Sequence, residues 1–140
     1  MVDNTWVMDL PQIITTIVST RGKTRLAETY PNASWTEDDI KNAPSVFPTI
    51  LFSYTMTEMG ADLIGQDVNA VMLMVQVDVT VTKEQGIQGA RYVSGVVMDE
   101  LKKLSFYVSD LPNPEDNTSD LIRYVFRARR VVGQADTFNS

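Results

Sequence analysis

The chain has no cysteine and no histidine among its 140 residues. The first absence excludes disulfides and thiolate chemistry. The second removes the commonest general base and the commonest zinc ligand, so any metal site must use oxygen ligands alone. Apolar runs long enough to cross a bilayer are missing too. The first residues carry no basic region followed by an apolar core, so a secretory leader is not expected. Asn32-Ala33-Ser34 and Asn117-Thr118-Ser119 then read as chance glycosylation sequons. Positive charge is scarce: 12 basic residues face 18 acidic ones, a net charge of −6. That balance argues against a nucleic-acid grip, which needs clustered cations. It does not argue against a wall past which DNA slides.

What is present is enough for one domain over residues 1–140, with 44% hydrophobic residues to build its core. The organising stretch runs from Asn69 to Leu104. Its first half, NAVMLMVQVDVTVT, alternates strictly. Val71, Leu73, Val75, Val77, Val79 and Val81 fall on one face; Met72, Met74, Gln76, Asp78, Thr80 and Thr82 fall on the other. Period two predicts a strand with one buried face, roughly 40 Å long.

The second half predicts an amphipathic helix. Thr82 and Gln85 have capping-box spacing. Ile87, Ala90, Val93, Ser94, Val97, Leu101 and Leu104 share one helical face, with Arg91, Asp99, Lys102 and Lys103 opposite. Tyr92 and Val96 lie off that core arc. Gly86, Gly89 and Gly95 each weaken a helix by about 1 kcal/mol relative to Ala, so packing must hold it.

Around this unit the chain reads in order. Asp9 is the expected cap of an N-terminal helix with Pro11 in its first turn; a strand is the alternative. Gly22 is expected to stop or kink that helix, and Tyr30-Pro31 to end it. Ala33 to Thr36 predicts a short strand, and Thr36-Glu37-Asp38-Asp39, which resembles a capping box, a turn of helix before Pro44. Phe47-Pro48 opens a strand from Thr49 to Met56. GADLIGQDVN, residues 60–69, reads as the connection of a long hairpin. Phe106 to Val108 predicts a short strand and Asp110 to Asp120 a loop. Leu121 to Val132 is the last strand, with a mobile tail expected from about residue 134. The assembly is α+β: a largely antiparallel twisted sheet, with the long amphipathic helix and the N-terminal helix packed on one face.

No catalytic constellation emerges, and no cofactor site. Glu37, Asp38 and Asp39 have the ordinary reading of a solvated helix start. Asp110, Glu115, Asp116 and Asp120 lack the spacing and central glycine of a calcium loop. Arg123, Arg127 and Arg129 project from one face of the last strand, with Arg130 beside them. They suit a phosphate or nucleic-acid contact, a solvated face paired with acids, or bidentate contacts at a subunit interface. In the last case Asp62 and Asp67 on the hairpin connection supply a neighbour's carboxylates. Met72, Met74 and Gln76, on the strand's outer face, join the same candidate interface.

The order of these pieces resembles a family. An N-terminal helix ends in Tyr30-Pro31, and Phe47-Pro48 opens a strand. GADLIGQDVN, a long strand ending VQVDVTV, an amphipathic helix and the closing RYVFRARRVVGQADTF follow. Together they resemble the tail-terminator proteins of long-tailed bacteriophages, also described as tail-completion or minor capsid proteins. The likeness covers roughly Asp9 to Phe138, and its most specific parts are the closing strand and the Phe47-Pro48 strand. It implies a homo-oligomer, a hexameric ring at the head-proximal end of the tail tube. Such a ring stops polymerisation of the major tail tube protein and meets head-completion or connector proteins. DNA passes through its lumen without sequence-specific binding. The implied place is the head–tail junction of the virion, with host cytoplasm during assembly and no membrane. Gly22 and the long Asp110–Asp120 loop depart from the pattern. Two alternatives stand beside it: a head-completion or connector ring protein, and a small oxygen-ligand metal enzyme.

Overall fold

The computed structural model describes residues 5–37, 46–61, 68–115, 120–134, 136 and 138. Along them run α1 (Trp6–Leu26), β1 (Ser34–Thr36), β2 (Thr49–Ala61), β3 (Val68–Thr82), α2 (Gly86–Lys103), β4 (Tyr107–Pro114) and β5 (Leu121–Gly133). The strands form one sheet in the order β1-β2-β3-β5-β4. Only β1–β2 is parallel. The fold is α+β with a largely antiparallel sheet, as expected.

β3 pairs with β2 in the expected hairpin and with β5 from Ala70 to Thr82. Its apolar alternation therefore has neighbours on both sides. Val71 through Val81 on the odd positions are at most 2% exposed. They share one cluster with Leu10, Ile14 and Val18 of α1, Ala90, Val93 and Val97 of α2, and Phe126 of β5. α2 contacts β3, β4 and β5, while α1 contacts α2 and β1. The Thr15 hydroxyl of α1 lies 2.6 Å from the Tyr54 hydroxyl of β2. Burial pushes the Tyr54 phenol well above its usual range.

The Thr82–Gln85 bonds that the spacing predicts are made, but they close the turn before α2, whose N-cap is Gln85 and not Thr82. Thr82 N–H donates to Gln85 Oε1 at 3.0 Å, and Gln85 N–H donates to Thr82 Oγ1 at 3.2 Å. The Gln85 amide also donates to the Phe47 carbonyl at 3.0 Å, tying this turn to the start of β2. The helix proper begins at Gly86, whose φ of 75° suits glycine.

Several expectations are corrected. α1 starts at Trp6, not after Asp9, and Pro11 lies inside it. Trp6 and Val7 pack against the core, which offsets the hydrogen bond Pro11 cannot make. Gly22 does not stop α1, which continues to Leu26. A Cβ there would collide with the Trp35 ring, so the missing side chain is a notch for an aromatic. β2 continues past Met56 to Ala61, and β3 begins at Val68, so strand pairing takes both ends of the expected connection. Asp110 to Pro114 is strand, not loop: β4 pairs with β5 through register shifts that accommodate Pro112 and Pro114. Val96 is buried and Ile87 is 48% exposed, the reverse of the expected helix face. Phe138, expected in a tail, is buried in the core cluster. The helical turn expected after Glu37 lies outside the described residues.

Candidate interaction surface

The even positions of β3 face away from the helices. Cross-strand partners share a face, so register defines this surface. Met72 lies opposite Val131, Met74 opposite Arg129, Gln76 opposite Arg127, Asp78 opposite Val125 and Thr80 opposite Arg123. On the other side, Thr57, Thr55, Ser53 and Leu51 lie opposite Met72, Met74, Gln76 and Asp78. The structure thus brings Met72, Met74, Gln76, Arg123, Arg127 and Arg129 onto one open face. Asp62 and Asp67, the other residues expected there, lie outside the described residues. Arg130 does not join the three arginines. It falls on the opposite face, where it pairs with Asp136 and lies over the Phe138 ring.

A continuous polar chain crosses the open face. Arg123 Nη2 donates to Asp78 Oδ2 at 2.7 Å. Gln76 Nε2 donates to Asp78 Oδ1 at 3.1 Å, and Arg127 Nε donates to Gln76 Oε1 at 3.1 Å. Arg127 Nη1 then donates to Asp110 Oδ2 at 3.3 Å. The chain therefore links β5, β3 and β4 through alternating donors and acceptors. Asp78 is only 5% exposed, and its two bonded neighbours offset the cost of burying its charge. Sequence reading missed this residue as a fixed point. The signal was there: an acid two positions from Gln76, on the face that carries the arginines.

Arg129 differs from its neighbours. Its guanidinium lies 5.3 Å from the centroid of Tyr107, and among the described residues it makes no ion pair. Tyr107 is 63% exposed and Val131 48% exposed. Met72 and Met74 are half-buried. A shallow depression of about 210 Å³ opens between Thr55, Met74, Gln76 and Arg127. Such a face offers adaptable apolar groups framed by oriented donors, which suits contact with another protein surface.

A second charged cluster lies between the helices. Glu100 of α2 is 1% exposed and accepts from Arg25 of α1 and from Lys103, each at 3.0 Å. Arg25 also reaches Asp99 at 3.2 Å. Burial pushes the Glu100 carboxyl up, but the bonds from Lys103 and Arg25 outweigh it and hold it below the usual range. The periodicity placed charge on the far side of α2 but did not mark Glu100 as buried.

Among the described residues, no three carboxylates gather to hold a metal ion. Asp110, one of the acids considered for calcium, is committed to Arg127. Comparison with protein-family models finds no match, and comparison with curated proteins finds no relative.

Proposed function

We propose that the chain is a structural protein of a phage tail, a terminator that forms a ring at the head-proximal end of the tail tube. Its role is to stop tube growth and join tail to head. One observation carries the reading. The sheet has an open face on which Met72 and Met74 remain half-covered beside Arg127 and Arg129, while the opposite face is closed by the chain itself. An oligomer that closes on itself head to tail needs two different patches on each subunit, and this face supplies one. The order of elements also supports the reading: a helix, a long hairpin, an amphipathic helix and an arginine-rich closing strand follow one another as the resemblance requires.

The structure alters the electrostatic part of the argument. Asp78 and Asp110 already lie beside Arg123 and Arg127, so self-repulsion alone does not demand a neighbour's acids. Arg129 is the cation best placed to reach across. The test is mixing purified protein with purified major tail tube protein. A terminator caps tubes and fixes their length distribution in electron micrographs, and bound protein appears as a ring at one tube end. Tubes that grow unchanged overturn the reading. Binding to a connector ring with no effect on tubes transfers the chain to the adjacent neck position.

A further inference from the structure

A head-to-tail oligomer needs a second patch, unlike the open sheet face and complementary to it. The outer side of α1 has both properties. α1 turns Leu10, Ile14 and Val18 into the core that the odd-numbered side chains of β3 build. Side chains three and four apart share a helix face, so Asp9, Gln12, Ile13 and Thr16 lie together on the other side, and all four are exposed. Met8 beside them is 72% exposed and Ile13 39%, so two large apolar side chains frame the acid.

Charge on this surface is sparse. From Trp6 to Thr20 the sequence holds one charged residue, Asp9. Among the described residues no ion pair holds its carboxylate. The open sheet face repeats this composition with the sign reversed. Arg129, Tyr107, Met72 and Val131 line a shallow depression of about 470 Å³ there. An anion among apolar groups on one side of the chain thus matches a cation among apolar groups on the other. The two cannot meet within one chain, because the sheet and its core lie between them.

We propose that the first half of α1, around Asp9, docks on the open sheet face of a second copy and pairs with the partner's Arg129. The proposal rests on the reading of the chain as a ring-forming protein and names the other half of that contact. A second copy is the fitting occupant because only the two unlike patches satisfy both charges. Two copies joined by their open faces bring no free acid to Arg129, since Asp78 and Asp110 are already held by Arg123 and Arg127. Two copies joined by their helices bring Asp9 toward Asp9, with no cation between Trp6 and Thr20 to offset them. Joined helix to sheet, each contact covers Met8 and Ile13 with Met72, Tyr107 and Val131 and makes one opposite-charge pair. Covered by those apolar groups, the pair is screened by salt less than an exposed one.

The test is charge reversal. Asp9→Arg and Arg129→Glu each set like charges at every contact. Both residues are exposed, so each variant should keep the parent's circular dichroism and a melting temperature within a few degrees of it. Each alone should need at least about tenfold more protein for half-maximal capping of purified tail tubes. An equal mixture of the two should regain the parent's capping, because each kind then finds an opposite charge on the other at both patches. Light scattering reads the same order without tubes, as native mass above the 15.7 kDa of one chain. Single variants that cap like the parent overturn the inference and leave the ring reading standing. So does a mixture as poor as either variant alone, which would place these residues against the tube instead. A parent that caps no tubes but gains mass, lost in each variant and regained in the mixture, overturns the tail role and upholds the docking of α1. A parent that neither caps nor gains mass overturns both.

Discussion

On one face of β3 six consecutive odd-numbered side chains are shut away from water; on the other, only Asp78 and Thr80 are buried, while Met72, Met74 and Gln76 are half-covered. The two faces belong to the same residues in the same strand, so backbone pairing does not distinguish them. What differs is how burial is compensated. The inner face gains from removing apolar surface from water, about 25 cal/mol per Å², without any requirement on direction. The outer face buries a charge only where Arg123 and Gln76 point donors at it. Chain folding is therefore carried by the first face, and the second is free to carry recognition.

The sharpest way to break this contrast is to put a charge on the wrong face. Val75→Asp places an unpaired carboxylate among Leu73, Val77 and the helices. The cost is several kcal/mol against a total stability of about 5–15 kcal/mol. The expected result is an unfolded or insoluble chain, read by circular dichroism and solubility; Leu101→Asp should behave alike. A folded Val75→Asp protein with the parent melting temperature would mean that the strand is phased wrongly.

The next effect is on the outer face. Asp78→Ala removes the carboxylate that accepts from both Arg123 and Gln76 and breaks the polar chain at its centre. Charged hydrogen bonds of this kind are worth about 1.5–3 kcal/mol, and denaturant titration should show a loss in that range. A loss below about 0.5 kcal/mol would mean that the outer face contributes nothing to folding.

Glu100 tests whether the closed side holds a charge for stability. Its carboxyl is held below the usual range in the folded protein. Its stabilisation is therefore present above the unfolded value, about 4.3, and is lost as pH falls through the folded value. Glu100→Gln should lower stability at pH 7 by about 1–2 kcal/mol, because Lys103 and Arg25 lose the negative charge they share while an amide oxygen still accepts. The same variant should flatten the acid limb of the stability curve. Melting temperatures of both proteins between pH 7 and pH 3 give the comparison.

Smallest in folding and largest in assembly is Arg127→Glu. The Arg127–Asp110 pair is exposed enough to be worth at most about 1 kcal/mol, so the melting temperature should shift by a few degrees at most. If the open face joins subunits, native mass or tube capping should fall at low salt, where charge repulsion is least screened. Assembly equal to the parent across a salt series would leave this face as solvated surface.

How much of this was legible beforehand follows the same division. The phase of β3, the outward arginines of β5 and the Thr82–Gln85 turn could be read because each depends on local spacing. Gly22 could not. Its meaning lies in Trp35, which reaches α1 from another element, and helix propensity alone suggests a break. Asp110 to Pro114 read as a loop because prolines and acids disfavour strands, yet an edge strand with register breaks accommodates both. Glu100 sits beside Asp99 in sequence, but only the approach of Arg25 decides which of them is buried. Arg130 followed Arg129 too closely to look different, although adjacent strand residues must point to opposite faces.

The short cover that β1 gives β2 also has a consequence for amide hydrogen exchange. In β3 both neighbours are present, so its amides from Val71 to Val81 should exchange slowly throughout. In β2 the amides of Ser53, Thr55 and Thr57 turn toward β3, that of Phe52 turns to β1, and those of Tyr54, Met56 and Glu58 turn the same way beyond the end of β1. Protection along this one strand should thus rise and fall with period two in dilute protein.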